Sequence, residues 1–128
     1  MTVACAIDTL LAAARTDLDR VHPCDLADEI AAGALVVDIR PAEQRRRDGE
    51  LPGALVIDRN VLEWRLDPTC PHHVAEVTGP TQRIIVVCDE GFSSSLAAAT
   101  LRQLGLSRAT DLIDGFRAWA AEPHRVST

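Results

Sequence analysis

The sequence predicts an α/β domain in which helices cover both faces of a mainly parallel sheet. Two observations carry that expectation: short aliphatic runs that do not alternate with polar residues, and helical patterns lying between them. Ala-Leu-Val-Val-Asp (34–38), Ala-Leu-Val-Ile-Asp (54–58), Arg-Ile-Ile-Val-Val-Cys (83–88) and Ala-Thr-Asp-Leu-Ile (109–113) are such runs. Unbroken apolar runs suit strands buried on both faces, as in a parallel sheet. Asp19 to His22, just before Pro23, is a weaker fifth strand candidate. Helical patterns fall at Asp8 to Arg15, Cys24 to Ala32, Pro41 to Arg47, Val61 to Arg65, Ser94 to Leu104 and Gly115 to Ala121. Gly33 and Gly105 stand where helix C-caps belong, and Pro41 fits a first helical turn. Strand and helix alternate along the chain, the order from which such layered sheets are built. Thr69 to Gln82, with Pro71, Gly79 and Pro80, is the longest irregular connection.

Composition narrows the possible chemistry. A chain of 128 residues, 47% hydrophobic and 25% charged, fits one soluble domain burying roughly 65–70% of its unfolded surface. All 13 basic residues are arginine. Without lysine there is no Schiff base, no Walker-type phosphate loop and no kinase ATP site. A net charge of −6 is opposite to the footprint of nucleic-acid binding, so no nucleic-acid partner is expected. Cys5, Cys24, Cys70 and Cys88 form no C-x-x-C pair and no disulfide framework. No basic residue precedes Arg15, Asp8 interrupts the first apolar stretch, and no run approaches the ~20 residues of a membrane span. The expectation is a cytoplasmic protein with reduced thiols and no membrane association.

Ligands of open α/β sheets sit outside the carboxyl ends of the strands, where this sequence puts Asp38, Asp58, Cys88 and Asp114. The strongest run ends in Cys88, and Asp89-Glu90-Gly91-Phe92-Ser93-Ser94-Ser95 leads from it into a helix. Amides at a helix N-terminus favour a thiolate over a thiol and can hold an anionic group bound to it. Gly91 permits a left-handed turn, one of Ser93 to Ser95 is expected to cap the helix, and Phe92 to wall the entrance. By spacing alone, Cys88 equally suits a small buried side chain that merely ends a strand.

Cys88-Asp89-Glu90-Gly91-Phe92-Ser93-Ser94 resembles the active-site loop of rhodanese-like sulfurtransferases, C-x-x-G-x-R/T-S/A. Three further segments agree in order. Val37-Asp38-Ile39-Arg40 resembles the family's V-D-x-R, Gly49-Glu50-Leu51-Pro52-Gly53-Ala54 its G-H-I-P-G-A, and Asp114-Gly115-Phe116-Arg117-Ala118-Trp119 its closing G-G-x-x-A-W helix. Together they span roughly Val21 to Trp119. The resemblance implies a rhodanese-like fold with a five-stranded parallel sheet over residues 18–128, preceded by an N-terminal helical extension over 1–17. It implies a sulfurtransferase that moves sulfane sulfur from thiosulfate or a thiol persulfide to a thiol or cyanide-like acceptor through a persulfide on Cys88. It requires no cofactor and no metal. Asp89, Glu90, Gly91, Phe92, Ser93, Ser94 and Arg59 would bind substrate, and Asp38 with Arg40 would support the site. The alternative is a non-catalytic rhodanese-like module that binds a partner or senses oxidants through the same thiol.

The departures are informative. Relatives carry arginine or threonine where this chain has Ser93, so a hydroxyl remains compatible with turnover. Cysteine phosphatases need arginine five or six positions after the cysteine, and Ser93 and Ser94 stand there. Asp89 and Glu90 bring two negative charges to the loop. At about 7 Å and an effective dielectric of about 20, each would oppose an anion by roughly 2 kcal/mol, or well under 1 with water between. A larger persulfide, on a thiol metabolite or a partner protein, is therefore expected as a better donor than thiosulfate. Arg59-Asn60-Val61-Leu62-Glu63-Trp64 resembles the family segment R-G-x-L-E-F/W, and Arg59 could offset the acidic loop. Glu63 is expected to lie on a solvated helix face. Cys70-Pro71-His72-His73 is too tightly spaced for common zinc motifs.

Overall fold

Four parallel strands, β1 (Leu35–Asp38), β2 (Leu55–Val56), β3 (Ile84–Val87) and β4 (Ala109–Asp111), form one sheet in the order β2-β1-β3-β4. The structure, a computed structural model, describes residues 5–123. Residues 1–4 of the expected extension and 124–128 of the expected domain lie outside the described residues. Among the described residues six helices accompany the strands: α1 (Ala6–Arg15), α2 (Leu26–Ala31), α3 (Ala42–Asp48), α4 (Leu62–Leu66), α5 (Ser93–Gln103) and α6 (Gly115–Ala121). Single 3-10 turns at Pro23–Asp25 and Arg59–Val61 lead into α2 and α4.

The non-alternating run in β3 is explained by burial on two sides. Ile84 and Val86 pack with Leu62, Leu66 and Leu101, whereas Ile85 and Val87 pack with Leu26, Leu112 and Phe116. All four β3 residues are fully buried, and each aliphatic side chain withdrawn this way contributes roughly 1.5–3 kcal/mol. β1 aligns with β3 over its whole length, Leu35 with Ile84 through Asp38 with Val87, so the two strands end level. The chemistry sits at that shared end.

Among the described residues the sheet has four strands where five were expected. Val21 reaches it as a single parallel bridge to Leu112, with the Val21 N–H donating to Asp111 O at 3.0 Å and the Ile113 N–H to Val21 O at 2.8 Å. Two residues later Pro23, which has no N–H to donate, opens a 3-10 turn and ends the pairing. β2 is also shorter than its apolar run: Ile57 N–H makes a last bond to Asp38 O of β1 at 3.1 Å, and the chain then turns into the 3-10 turn that Asp58 caps. In the long connection before β3, Val74 and Val77 are buried and anchor an otherwise polar stretch. Among the described residues, no helix is long and apolar enough to cross a membrane.

Candidate functional site

β3 delivers Cys88 to the carboxyl edge of the sheet, and the chain turns at once into α5. The Cys88 side chain is 6% exposed, and its Sγ accepts hydrogen bonds from the Gly91 N–H at 3.1 Å and the Ser94 N–H at 3.4 Å. Two main-chain donors at the start of an eleven-residue helix thus converge on one sulfur, an arrangement that favours negative charge there. No side-chain cation contacts the sulfur among the described residues.

Two glycines let the backbone pack tightly enough to make this cradle. Gly91 has φ +87°, and a Cβ there would lie 2.7 Å from Asp114 N. Gly115, at φ +65°, passes so close beneath the loop that a Cβ would lie 2.6 Å from both Cys88 O and Asp89 O. The first turn of α6 holds the loop from that side: Phe116 N–H donates to Cys88 O at 2.8 Å and Arg117 N–H to Asp89 O at 3.1 Å.

The serines act differently from the expected helix cap. Phe92 occupies the N-cap position of α5 and makes no capping bond with its side chain. Ser94 Oγ and Ser95 Oγ instead both donate to Asp111 Oδ2 at 2.7 Å. Asp111, at the end of β4 and fully buried, also receives Arg20 Nε at 2.8 Å on Oδ1 and Arg20 Nη2 at 3.2 Å on Oδ2. A buried carboxylate needs such a set of partners. The sequence reading missed Asp111, although an acidic residue inside an apolar strand run was a visible signal of buried polar structure. It also missed Arg20 and Arg15, which converge on Gly91 O from 3.1 and 2.7 Å, and for these no local signal exists.

Asp38 and Arg40 form a buried pair beside the loop. Arg40 Nη2 lies 2.8 Å from Asp38 Oδ2 and 2.9 Å from Gly49 O, and Arg40 Nε lies 3.1 Å from Asp38 Oδ1. The guanidinium carbon is 3.6 Å from the Phe116 ring centroid, so the aromatic face compensates part of a charge whose Nη1 has no hydrogen-bond partner.

A cleft of about 460 Å³ opens above Cys88. It gathers Arg40, Arg59, Asp89, Glu90, Phe92 and Ser93 around the cysteine, with Gln44 of α3 as a wall residue that nothing in the local sequence marks. Phe92 is 56% exposed at the mouth. Gly91 and Ser94 lie beneath as backbone donors, and Asp38 backs Arg40 without lining the cleft. Asp58 and Asp114 take other positions: Asp58 caps the 3-10 turn by accepting from Asn60 N–H at 2.8 Å, and Asp114 supplies the left-handed residue before α6. A larger groove, about 630 Å³ between α1 and α5, contains none of the expected site residues.

Each charge at the cleft but one is matched. Arg59 Nη1 lies 2.9 Å from both oxygens of Glu63, so Glu63 is an ion-pair partner rather than merely a solvated residue. Asp89 Oδ2 accepts from Arg117 Nε at 2.8 Å, which offsets one of the two acidic charges expected to oppose an anion. Glu90 has no ion-pair partner among the described residues. Cys70, His72 and His73 make local turn contacts, with His72 N–H 3.4 Å from Cys70 Sγ and His73 Nδ1 2.8 Å from Val74 O.

The model of the rhodanese-like domain family matches residues 22–122. The chain finds no match among curated proteins. Among solved structures, a Rhodopseudomonas palustris protein of unknown function, described as a possible tyrosine phosphatase, is 28% identical with a TM-score of 0.79, over 93% of this chain and 92% of its own. The human single-domain sulfurtransferase TSTD1 is 26% identical with a TM-score of 0.70, over 82% of this chain and 97% of its own. A rhodanese homologue from Thermus thermophilus is 27% identical with a TM-score of 0.55, over 77% of this chain and 96% of its own.

Proposed function

The chain belongs to the rhodanese-like domain family, and we propose that it is a sulfurtransferase in which Cys88 carries sulfane sulfur as a persulfide. The observation that carries this reading is the Cys88 sulfur at the floor of an open cleft, accepting two backbone N–H bonds. In the first step the Cys88 thiolate attacks the outer sulfur of the donor. A new S–S bond forms as the donor's own S–S bond breaks, and the electron pair leaves on sulfite or on the donor thiolate. A thiol or cyanide-like acceptor then attacks the outer sulfur of the Cys88 persulfide, and its electron pair returns to the Cys88 sulfur. No electrons are gained or lost overall. Gly91 and Ser94 N–H groups stabilise the Cys88 thiolate before the first transfer and after the second.

Charge at the cleft favours a singly charged donor. Arg40 and Arg59 are each committed to a carboxylate, and Glu90 is unmatched. A thiol persulfide, on a small thiol or on a partner protein, meets less opposition there than dianionic thiosulfate. The same commitments weigh against phosphate-ester hydrolysis. Ser93 and Ser94 stand where a phosphate-binding arginine would be needed, and among the described residues no guanidinium lining the cleft is free of a carboxylate.

The test is intact-mass measurement after incubation with thiosulfate and, separately, with a low-molecular-weight thiol persulfide. One added sulfur, about 32 Da, is expected on the wild type and not on Cys88→Ser, followed by multiple turnovers when acceptor is supplied. Absence of that adduct with every donor overturns the reading. One modification without turnover would favour the redox-sensing or binding module, and Cys88-dependent hydrolysis of an aryl phosphate would favour the phosphatase.

A further inference from the structure

We propose that Arg15, at the end of α1, is a positioning residue for the sulfur-binding loop and supplies it with an unmatched positive charge. The inference rests on the sulfurtransferase reading, but it concerns a part of the chain that precedes the family match, which begins at residue 22.

Arg15 reaches across the sequence to the back of the loop. Its Nη2 donates to Gly91 O at 2.7 Å and its Nε to Ser95 Oγ at 3.0 Å, while its guanidinium carbon lies 5.9 Å from the Phe92 ring centroid. Gly91 is the residue whose N–H holds Cys88 Sγ. A trans peptide is planar, with C=O and N–H pointing in opposite directions. Fixing Gly91 O therefore fixes the plane of the Gly91–Phe92 peptide, which lies between the two donors to the sulfur. Its own N–H is then directed away from the guanidinium.

Charge distinguishes Arg15 from its neighbour. Arg20 also donates to Gly91 O, but its charge is balanced by the buried Asp111 carboxylate. Arg15 has no carboxylate partner among the described residues. Its charge is delivered to a carbonyl one peptide away from the sulfur cradle, where the group that gains from it is an anion on Cys88. α1 packs along α5, which brings the end of one helix to the start of the other's loop.

The experiment compares the full wild-type chain with Arg15→Met, which keeps an unbranched apolar stem but removes the charge and the donors, and Arg15→Lys, which keeps the charge. Iodoacetamide alkylation is followed at the Cys88 peptide near neutral pH, beside kcat and donor KM for sulfur transfer. Arg15→Met should slow alkylation and lower kcat by roughly three- to tenfold, the scale of one charge-assisted hydrogen bond acting through a peptide, with donor KM unchanged. Arg15→Lys should recover most of both. Alkylation of Arg15→Met within about twofold of wild type overturns the proposal, as does a lysine variant as slow as the methionine one. Should Arg15→Met fail to fold, Arg15→Gln tests the same loss of charge while retaining a donor. Alkylation needs no sulfur transfer. A slowed Arg15→Met in a protein that never takes up sulfur would therefore sink the enzymatic reading and leave this one standing.

Discussion

The Asp38 carboxylate and the Arg40 guanidinium, two residues apart at the exit of β1, are buried together with Nη2 2.8 Å from Oδ2. Neither charge reaches water, so each depends on the other for compensation, and the Phe116 ring covers the guanidinium. Arg40→Met should therefore destabilise the domain by about 3–5 kcal/mol, since it leaves a buried carboxylate unpaired. Replacing both residues, Asp38→Leu with Arg40→Met, should recover a large part of that loss. Urea unfolding of the single and double variants measures the difference, and equal stability of the two would contradict the coupling.

Gly91→Ala should damage the site more than the fold. A Cβ at φ +87° is strained, and it would lie 2.7 Å from Asp114 N, so the loop must move. The expected cost is about 1–3 kcal/mol. Because the same residue donates to Cys88 Sγ, alkylation of Cys88 should slow at the same time. Gly33→Ala, where φ is +102° but the space is open, should cost stability without changing Cys88 reactivity.

Asp111→Ala should loosen the junction between β4 and α5. It deprives Ser94 Oγ and Ser95 Oγ of their shared acceptor and leaves Arg20 unpaired. The loss should be about 3–5 kcal/mol by thermal or urea unfolding, the range for breaking a buried ion pair from one side. Hydrogen exchange at the amides of residues 91–95 should rise more than in the middle of β3.

Glu90→Gln should lower the KM for thiosulfate. Asp89 is already matched by Arg117, so Glu90 carries the unbalanced charge at the rim. The group is solvated, and the expected gain is about two- to fivefold at low ionic strength, fading as salt is added. A monoanionic persulfide should gain less than the dianion. Identical kinetics at low salt would remove the electrostatic basis for donor choice.

Asp67 gives the stability a small dependence on acid pH. The Thr69 backbone N–H at 2.9 Å, and then the Thr69 hydroxyl at 2.8 Å, hold its carboxyl below the ordinary value of 3.8. A depressed folded value means that the contribution is complete above the ordinary pKa and is lost as pH falls through the lower folded one. Asp67→Asn should therefore lower Tm relative to wild type at about pH 6, and the difference should close towards about pH 2. A difference that persisted in acid would point to the side chain's shape rather than its charge.

Where the physics is local, the sequence sufficed. The run 83–88 specified a strand buried on both faces because every position after Arg83 is apolar, and β3 occupies Ile84–Val87 within it. Gly115 to Ala121 is helical over the expected bounds. Cys88 followed by a short glycine-containing loop and a helix was enough to predict backbone amides facing the sulfur, and two do, since strand end and helix start are set by neighbours in the chain. The serines show the limit. Ser93 to Ser95 suit an N-cap, but α5 begins at Ser93 with Phe92 as its N-cap, so Ser94 and Ser95 lie in the first turn and donate their hydroxyls to a buried carboxylate 17 and 16 residues away.

The amino-acid order alone thus determined the layer architecture, the position of Cys88 and the polarity of its loop, all of which depend on periodicity and on residues within one turn of each other. Tertiary structure decided which charges are matched and which are not: Arg117 on Asp89, Arg20 on Asp111, and Arg15 on a carbonyl 76 residues away. Formal charge is a property of the sequence, whereas the field at a sulfur depends on distance and on the partner each charge acquires when the chain folds.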